Sequence, residues 1–256
     1  MAEYIAGSEE VFVDMMNNKA KELGMNDTTF LNCHGIDEEG HVTSPFDIAL
    51  MSRELLTKHP SITKYTTIWM DSLRDGKSGL VNTNKLIRNY KGATGLKTGS
   101  TSLALYNLSA SATRDNLSLI SVIMKAPTSD IRFAEAKKLL DYGFNNYQYK
   151  ELAIEAEVLN SVNVEKGIEQ TVEAMFEKSE GMLLKKGEER NIVQDIKMDE
   201  TVIAPVNKGQ KIGEAVFSIN EEMVGKIDIV ATRDIKKVSV GNMLAHVYNN
   251  WFCLLR

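Results

Sequence analysis

At 256 residues the chain is long enough for one large domain or two smaller ones, and its 43% hydrophobic and 25% charged residues are ordinary for a globular protein. A net charge of -5 argues against nucleic acid as a partner. The two cysteines, Cys33 and Cys253, lie far apart and make no disulfide framework; with no Cys-x-x-Cys or His-x-x-x-His spacing there is no zinc site, and each reads as an ordinary apolar side chain.

In chain order, Ser8 is the first helix cap. Phe12, Met15, Met16, Ala20 and Leu23 recur behind it at helical spacing until Gly24, and Met15 and Met16 read as core. His34, beside Gly35, reads as a structural loop histidine. Ser44 caps a second helix with Pro45 at its first position, Asp47 in its first turn and Ile48, Met51, Leu55 and Leu56 as its apolar face. Pro60 ends that helix, so Ser61 reads as a surface turn residue leading into strand-like Tyr65–Trp69. Lys97 opens a meander whose later strands are Tyr106–Thr113 and Leu117–Met124, joined through Thr113–Asn116. A third helix runs from about Ser129 to Tyr142, with Ile131, Ala134, Leu139 and Leu140 as its expected buried positions. Helices flanking such a sheet give an α+β domain.

Near Tyr149 the texture changes. Short alternating runs such as Ser161–Val164, Thr171–Phe176 and Lys226–Val230 are separated by Lys166-Gly167, Lys186-Gly187 and Lys208-Gly209, the pattern of a small β-sandwich or barrel-like domain. At the end, Val240, Met243, Leu244, Val247, Tyr248, Trp251, Phe252 and Leu255 make an amphipathic stripe, too polar to span a bilayer. Two readings of that helix stand: an interfacial membrane anchor, and a helix packed on the β-domain or on a partner subunit.

The stretch with the most chemistry is Lys97-Thr98-Gly99, within Gly95–Thr101. A lysine supplies positive charge, a threonine hydroxyl donates a hydrogen bond, and a glycine admits a ligand close to the backbone, which together suit a peptide docked as an edge strand by its terminal carboxylate. Taken alone, three residues are also compatible with a turn between strands. Lys-Thr-Gly is one of three blocks in penicillin-recognising serine acyl-transferases, the others being Ser-x-x-Lys and Ser-x-Asn. Ser61-Ile62-Thr63-Lys64 matches the first formally but lies a short stretch before Lys97. Ser161-Val162-Asn163 and Ser218-Ile219-Asn220 match the second but fall in the β-rich region.

The surroundings extend the match. Ala2–Ser8, Leu23–Phe30, His34–Asp37, Thr43–Ala49, Asn82-Thr83-Asn84-Lys85-Leu86, Lys97–Gly99, Arg132, Lys137–Leu140 and Gly143-Phe144 follow in order at family spacing. Over most of residues 1–148 the chain thus resembles the low-molecular-weight penicillin-binding proteins, the serine-type D-alanyl-D-alanine carboxypeptidases. Pro205–Gly213 resembles their second, all-β domain.

The resemblance implies an α+β fold: part of a penicillin-binding/β-lactamase-like transpeptidase domain at 1–148, an all-β domain at 149–235 and an amphipathic membrane-anchor helix at 236–256. It implies removal of the terminal D-alanine from peptidoglycan stem peptides through an acyl-serine, with β-lactam antibiotics as further ligands and no metal or organic cofactor. By resemblance Lys97 and Thr98 bind and polarise substrate, Gly99 and Ser100 line the edge strand, and Arg132 supports carboxylate binding; an arginine there is otherwise a solvated side chain. The expected location is the outer face of the cytoplasmic membrane, contacted through 238–255. No believable nucleophile block and no signal peptide precede Lys97, so the chain is expected to be an N-terminally truncated, catalytically incomplete and unstable fragment. Leu105 departs from the family, where a glycine is common, and puts the local backbone path in question. A serine β-lactamase shares the chemistry, but the long β-domain and anchor argue against it; the non-enzymatic alternative is a membrane-attached peptidoglycan-binding or scaffold module.

Overall fold

The computed structural model describes residues 1–155, 157–239 and 241, in two compact units, Met1–Asn146 and one from Tyr147 onward. In the first unit α1 (Ala2–Ala6), α2 (Glu9–Glu22), α3 (Pro45–Lys58) and α4 (Thr63–Thr66) precede a short hairpin of β1 (Met70–Leu73) and β2 (Ser78–Val81). Then follow α5 (Leu86–Asn89), the meander β3 (Ala93–Thr101), β4 (Leu105–Arg114) and β5 (Leu117–Ala126), and α6 (Ser129–Asn146). The meander is an antiparallel sheet in the order β3-β4-β5, so among the described residues β3 lies at an edge.

The sheet's packing follows from its middle strand. Ser109, Ala110, Ser111 and Ala112 of β4 are all buried, and their small side chains let helices approach both faces. The Ser52 hydroxyl of α3 meets that of Ser109 at 2.7 Å on one face, and Ser121 of β5 bonds the Ala136 carbonyl of α6 on the other. The β4–β5 hairpin turns on Asp115 and Asn116 at φ 47° and 63°, the left-handed pair that a tight two-residue turn requires.

Ser8 and Ser44 cap α2 and α3, accepting from the backbone N–H groups of Val11 and Asp47. Burial within the helices departs from the apolar spacing. In α2 the buried residues are Val13 and Ala20, whereas Met15 is half exposed, so Met15 is not core. In α6 they are Arg132, Phe133, Ala136, Leu140, Gly143 and Phe144; Ile131, Ala134 and Leu139 face solvent. Of the expected positions Leu140 is buried, while the others miss because the helix presents Arg132 and Phe133 to the sheet. Tyr65–Trp69 is not a strand: its first residues close α4, and β1 begins at Met70. Cys33 is not an apolar side chain but an exposed thiol donating to Glu9 Oε1 at 3.2 Å; that carboxylate raises the thiol's pKa and lies 3.9 Å from His34 Nε2.

Asp47 ties the loops to α3. Only 1% exposed, it accepts from the Asp27 N–H at 2.8 Å and the Thr28 hydroxyl at 2.6 Å. Replacing it by alanine takes the acceptor from the Asp27 N–H and leaves the Thr28 hydroxyl only its Thr43 partner, at roughly 1–3 kcal/mol in all. Asp47→Ala is therefore expected to lower the urea midpoint clearly while Asp47→Asn, which keeps an acceptor oxygen, lowers it less; equal midpoints for both variants would remove Asp47 from this role.

The second unit contains β6 (Tyr147–Ala153), β7 (Val158–Glu165), β8 (Thr171–Phe176), β9 (Glu180–Lys185), β10 (Ile192–Met198), β11 (Thr201–Ile203), β12 (Lys211–Ile219) and β13 (Glu222–Ala231). Six of them form a sheet in the order β10-β12-β13-β8-β7-β11, antiparallel except for β11 beside β7; β6 and β9 form a second pair. Alternate residues such as Val162, Val172, Ala174, Phe217, Ile227 and Ile229 build its core. The expected amphipathic helix from Val240 and its membrane contact through 238–255 lie, apart from Val238, Ser239 and Gly241, outside the described residues, as does Cys253. No described helix is long and apolar enough to cross a membrane.

Candidate active site

The site is built around β3. Lys97 pairs with Ser109 and Thr98 with Leu108 across the ladder, so the pleat sends the two side chains to opposite faces of the edge strand. Lys97 is exposed, with its ammonium folded onto the Thr98 carbonyl. Thr98 is 7% exposed, whereas Gly99 and Ser100 are open to solvent. Lys97 and Thr98 thus flank an accessible edge from two sides.

Asparagines fasten the segments around that edge. Asn82 donates to the Thr66 and Ile68 carbonyls at 3.1 and 2.9 Å, while its Oδ1 receives the Asn84 N–H at 2.9 Å. Asn84, 1% exposed, donates to the Gly95 carbonyl at 2.9 Å. Between them Thr83 places its hydroxyl 2.6 Å from that of Thr98. Beyond the site, Asn107 donates to the Ala104 carbonyl at 3.0 Å and accepts the Lys125 N–H at 2.8 Å. Leu105 itself sits at φ 53°, a left-handed conformation that suits a glycine, so the departure at this position keeps the turn and strains it. Asp37 braces the same end, accepting from the Thr101 hydroxyl at 2.7 Å.

Arg132 is not a solvated arginine. It is 7% exposed, and its Nη1 donates to the carbonyls of Gly99 at 3.2 Å and Asn107 at 3.0 Å. Its guanidinium carbon stands 4.8 Å from the Phe133 ring centre and 5.5 Å from that of Tyr106. Burial pulls its pKa below the ordinary arginine value, and its Nε is enclosed without a hydrogen-bond partner. The guanidinium therefore brings positive charge up behind Gly99 and keeps one donor unspent.

The sequence pattern brought Lys97, Thr98, Gly99 and Ser100 onto one strand, and the fold adds Arg132 to them. Ser61 and Lys64 lie in the exposed turn-and-helix segment before β1, on a separate element. Thr83 and Asn84 join the site only in the fold. Their sequence signal is the Asn82-Thr83-Asn84 run, whose asparagines bond backbone distant in sequence.

Gly95 shows how closely α4 abuts the site. A Cβ there would lie 2.9 Å from Thr66 Oγ1 and 3.1 Å from Thr66 Cβ. Thr66 cannot swing away without losing its bond to the Thr94 carbonyl. Gly95→Ala is expected to cost about 1–3 kcal/mol by overpacking, read as a lower thermal midpoint that Thr66→Ala in the same chain partly restores.

Residues 1–128 match the family described as D-alanyl-D-alanine carboxypeptidase. The chain belongs to that family. Residues 147–237 match the C-terminal domain of penicillin-binding protein 5. Over 255 residues the chain is 42% identical to the D-alanyl-D-alanine carboxypeptidase DacF of Bacillus subtilis, covering 98% of this chain and 65% of that protein. It is 29% identical over 258 residues to DacC of Escherichia coli, covering 98% and 64%. The chain therefore spans slightly less than two thirds of the length of these curated relatives. Among solved structures, penicillin-binding protein 5 of Haemophilus influenzae superposes with a TM-score of 0.65 at 29% identity, over 92% of this chain and 69% of the other. Family membership agrees with the α+β architecture and the separate β-rich unit described above.

Proposed function

We propose that this chain supplies the substrate-holding wall of a serine-type D-alanyl-D-alanine carboxypeptidase. The observation that carries the proposal is the exposed edge of β3, where Lys97 and Thr98 flank the strand and Arg132 lies behind Gly99. A peptide ending in D-Ala-D-Ala pairs with that edge through its backbone, and its carboxylate meets Lys97 and the Thr98 hydroxyl. Arg132 acts from behind, by holding the Gly99 and Asn107 carbonyls and adding positive charge. Gly99 and Ser100 leave the backbone open to the ligand.

In the reaction a serine oxygen bonds to the penultimate carbonyl carbon, the C–N bond breaks and D-alanine leaves with the transferred proton. Water then hydrolyses the ester. The wall fixes the carboxylate and polarises the reacting carbonyl; β-lactams, which carry a carboxylate beside a strained amide, enter the same way. The nucleophile lies outside these 256 residues in this reading; Ser61 stands exposed in the turn after Pro60 rather than opening a buried helix. The domain assignment follows: residues 1–148 belong to the catalytic domain, 149–235 form a β-domain without catalytic residues, and 236–256 dock on the outer face of the cytoplasmic membrane, where peptidoglycan is within reach.

The test is covalent labelling by a fluorescent penicillin on a denaturing gel. The 256-residue chain alone is expected to give no band, and the full product of its native reading frame a strong one. A band from the short chain that Ser61→Ala abolishes would restore Ser61 as nucleophile and overturn this reading. No band from either protein would favour a non-catalytic peptidoglycan-binding module.

A further inference from the structure

We propose that Thr83 is a positioning residue for the terminal carboxylate, acting by donating its hydroxyl proton to Thr98; this rests on the carboxypeptidase reading above. The two oxygens are 2.6 Å apart and either can donate. A threonine hydroxyl has one proton and two acceptor lone pairs. When Thr98 spends its proton on a carboxylate, its remaining bond to Thr83 must run the other way, with Thr83 as donor. In that direction the dipoles of Thr83 O–H and Thr98 O–H align towards the anion, and each bond strengthens the next. In the opposite direction the Thr98 proton is held by Thr83 and the carboxylate faces lone pairs.

The fold keeps Thr83 in place for this task. It stands between Asn82, anchored on the Thr66 and Ile68 carbonyls, and Asn84, anchored on the Gly95 carbonyl two residues before Lys97. The Asn82 backbone N–H is also bonded to the Trp69 carbonyl at 2.8 Å. The segment carrying Thr83 is thus fastened to the same strand that carries Thr98, and the two hydroxyls stay in register. Thr83 is itself exposed, whereas Thr98 is buried, so the hydroxyl nearer solvent orients the one enclosed in the site. A valine at 83 fits the same space without a proton to give, and a serine keeps the proton.

The experiment uses the full product of the native reading frame with three variants, Thr83→Val, Thr83→Ser and Thr98→Val. Each is assayed on an acylated D-Ala-D-Ala peptide and on the same peptide with its terminal carboxylate amidated. Thr83→Val is expected to lower kcat/KM for the free-acid peptide about tenfold, the equivalent of one ordinary hydrogen bond, chiefly through KM. It should leave the amidated peptide and the thermal midpoint unchanged, and Thr83→Ser should recover most of the loss. Equal losses on both peptides, or no loss on either, would overturn the role of Thr83. If the wild type cleaves neither peptide, or if Thr98→Val loses nothing on the free acid, the carboxypeptidase reading fails instead.

Discussion

Arg132→Ala is expected to damage stability and activity together. The guanidinium makes charge-assisted bonds to the Gly99 and Asn107 carbonyls and fills the space beside the Phe133 and Tyr106 rings. Each such bond contributes roughly 1.5–3 kcal/mol, and truncation leaves two carbonyls and a void behind the site. The expected result is a substantial fall in the thermal midpoint together with penicillin acylation at least ten times slower in the full reading-frame product. Arg132→Lys keeps a charge but has no planar fork to bridge two carbonyls on adjacent strands, so it should recover the midpoint in part and acylation less. A wild-type midpoint with slow acylation in Arg132→Ala would instead mean that the guanidinium meets the ligand and supports no strand.

Lys97→Ala should separate the two effects. The lysine is exposed, and its only hydrogen bond among the described residues is to the carbonyl of the next residue, so its loss should barely move the thermal midpoint. In the proposed reading its charge serves a bound carboxylate, and removing one such donor typically costs about 10²–10³ in rate. Acylation of the full product by penicillin, followed by stopped-flow fluorescence, is expected to slow by that order. An unchanged rate would take Lys97 out of the site.

Much of this was legible in the sequence because it is local. Ser8 and Ser44 cap helices as their positions require, the Lys97 strand and its two successors form the expected meander, and Thr171–Phe176 is a strand residue for residue. What was not legible depends on partners far along the chain. The buried face of α6 is set by the sheet it meets, and a buried arginine inverts the rule that apolar residues mark the inside. Met15 obeys the helical period yet stays half exposed, since the period names a face without saying whether anything covers it. At the site, Lys97-Thr98-Gly99 was readable as a motif, and Arg132 was implied by the family resemblance. That the first two side chains of the motif take opposite faces follows from the pleat, and that Arg132 is buried behind Gly99 and Thr83 reaches Thr98 follows only from the tertiary fold.

The strained turn after β3 has a practical consequence. Leu105 holds a conformation that costs an L side chain about 1–2 kcal/mol, and the Asn107 side chain maintains the turn from below by bonding the Ala104 carbonyl. The chain thus carries an unused reserve of stability at the rim of its own site, in a residue to which no ligand role falls. Leu105→Gly should release part of that reserve and raise the thermal midpoint at unchanged acylation. For anyone producing this protein, that turn is a place where robustness can be engineered without touching specificity.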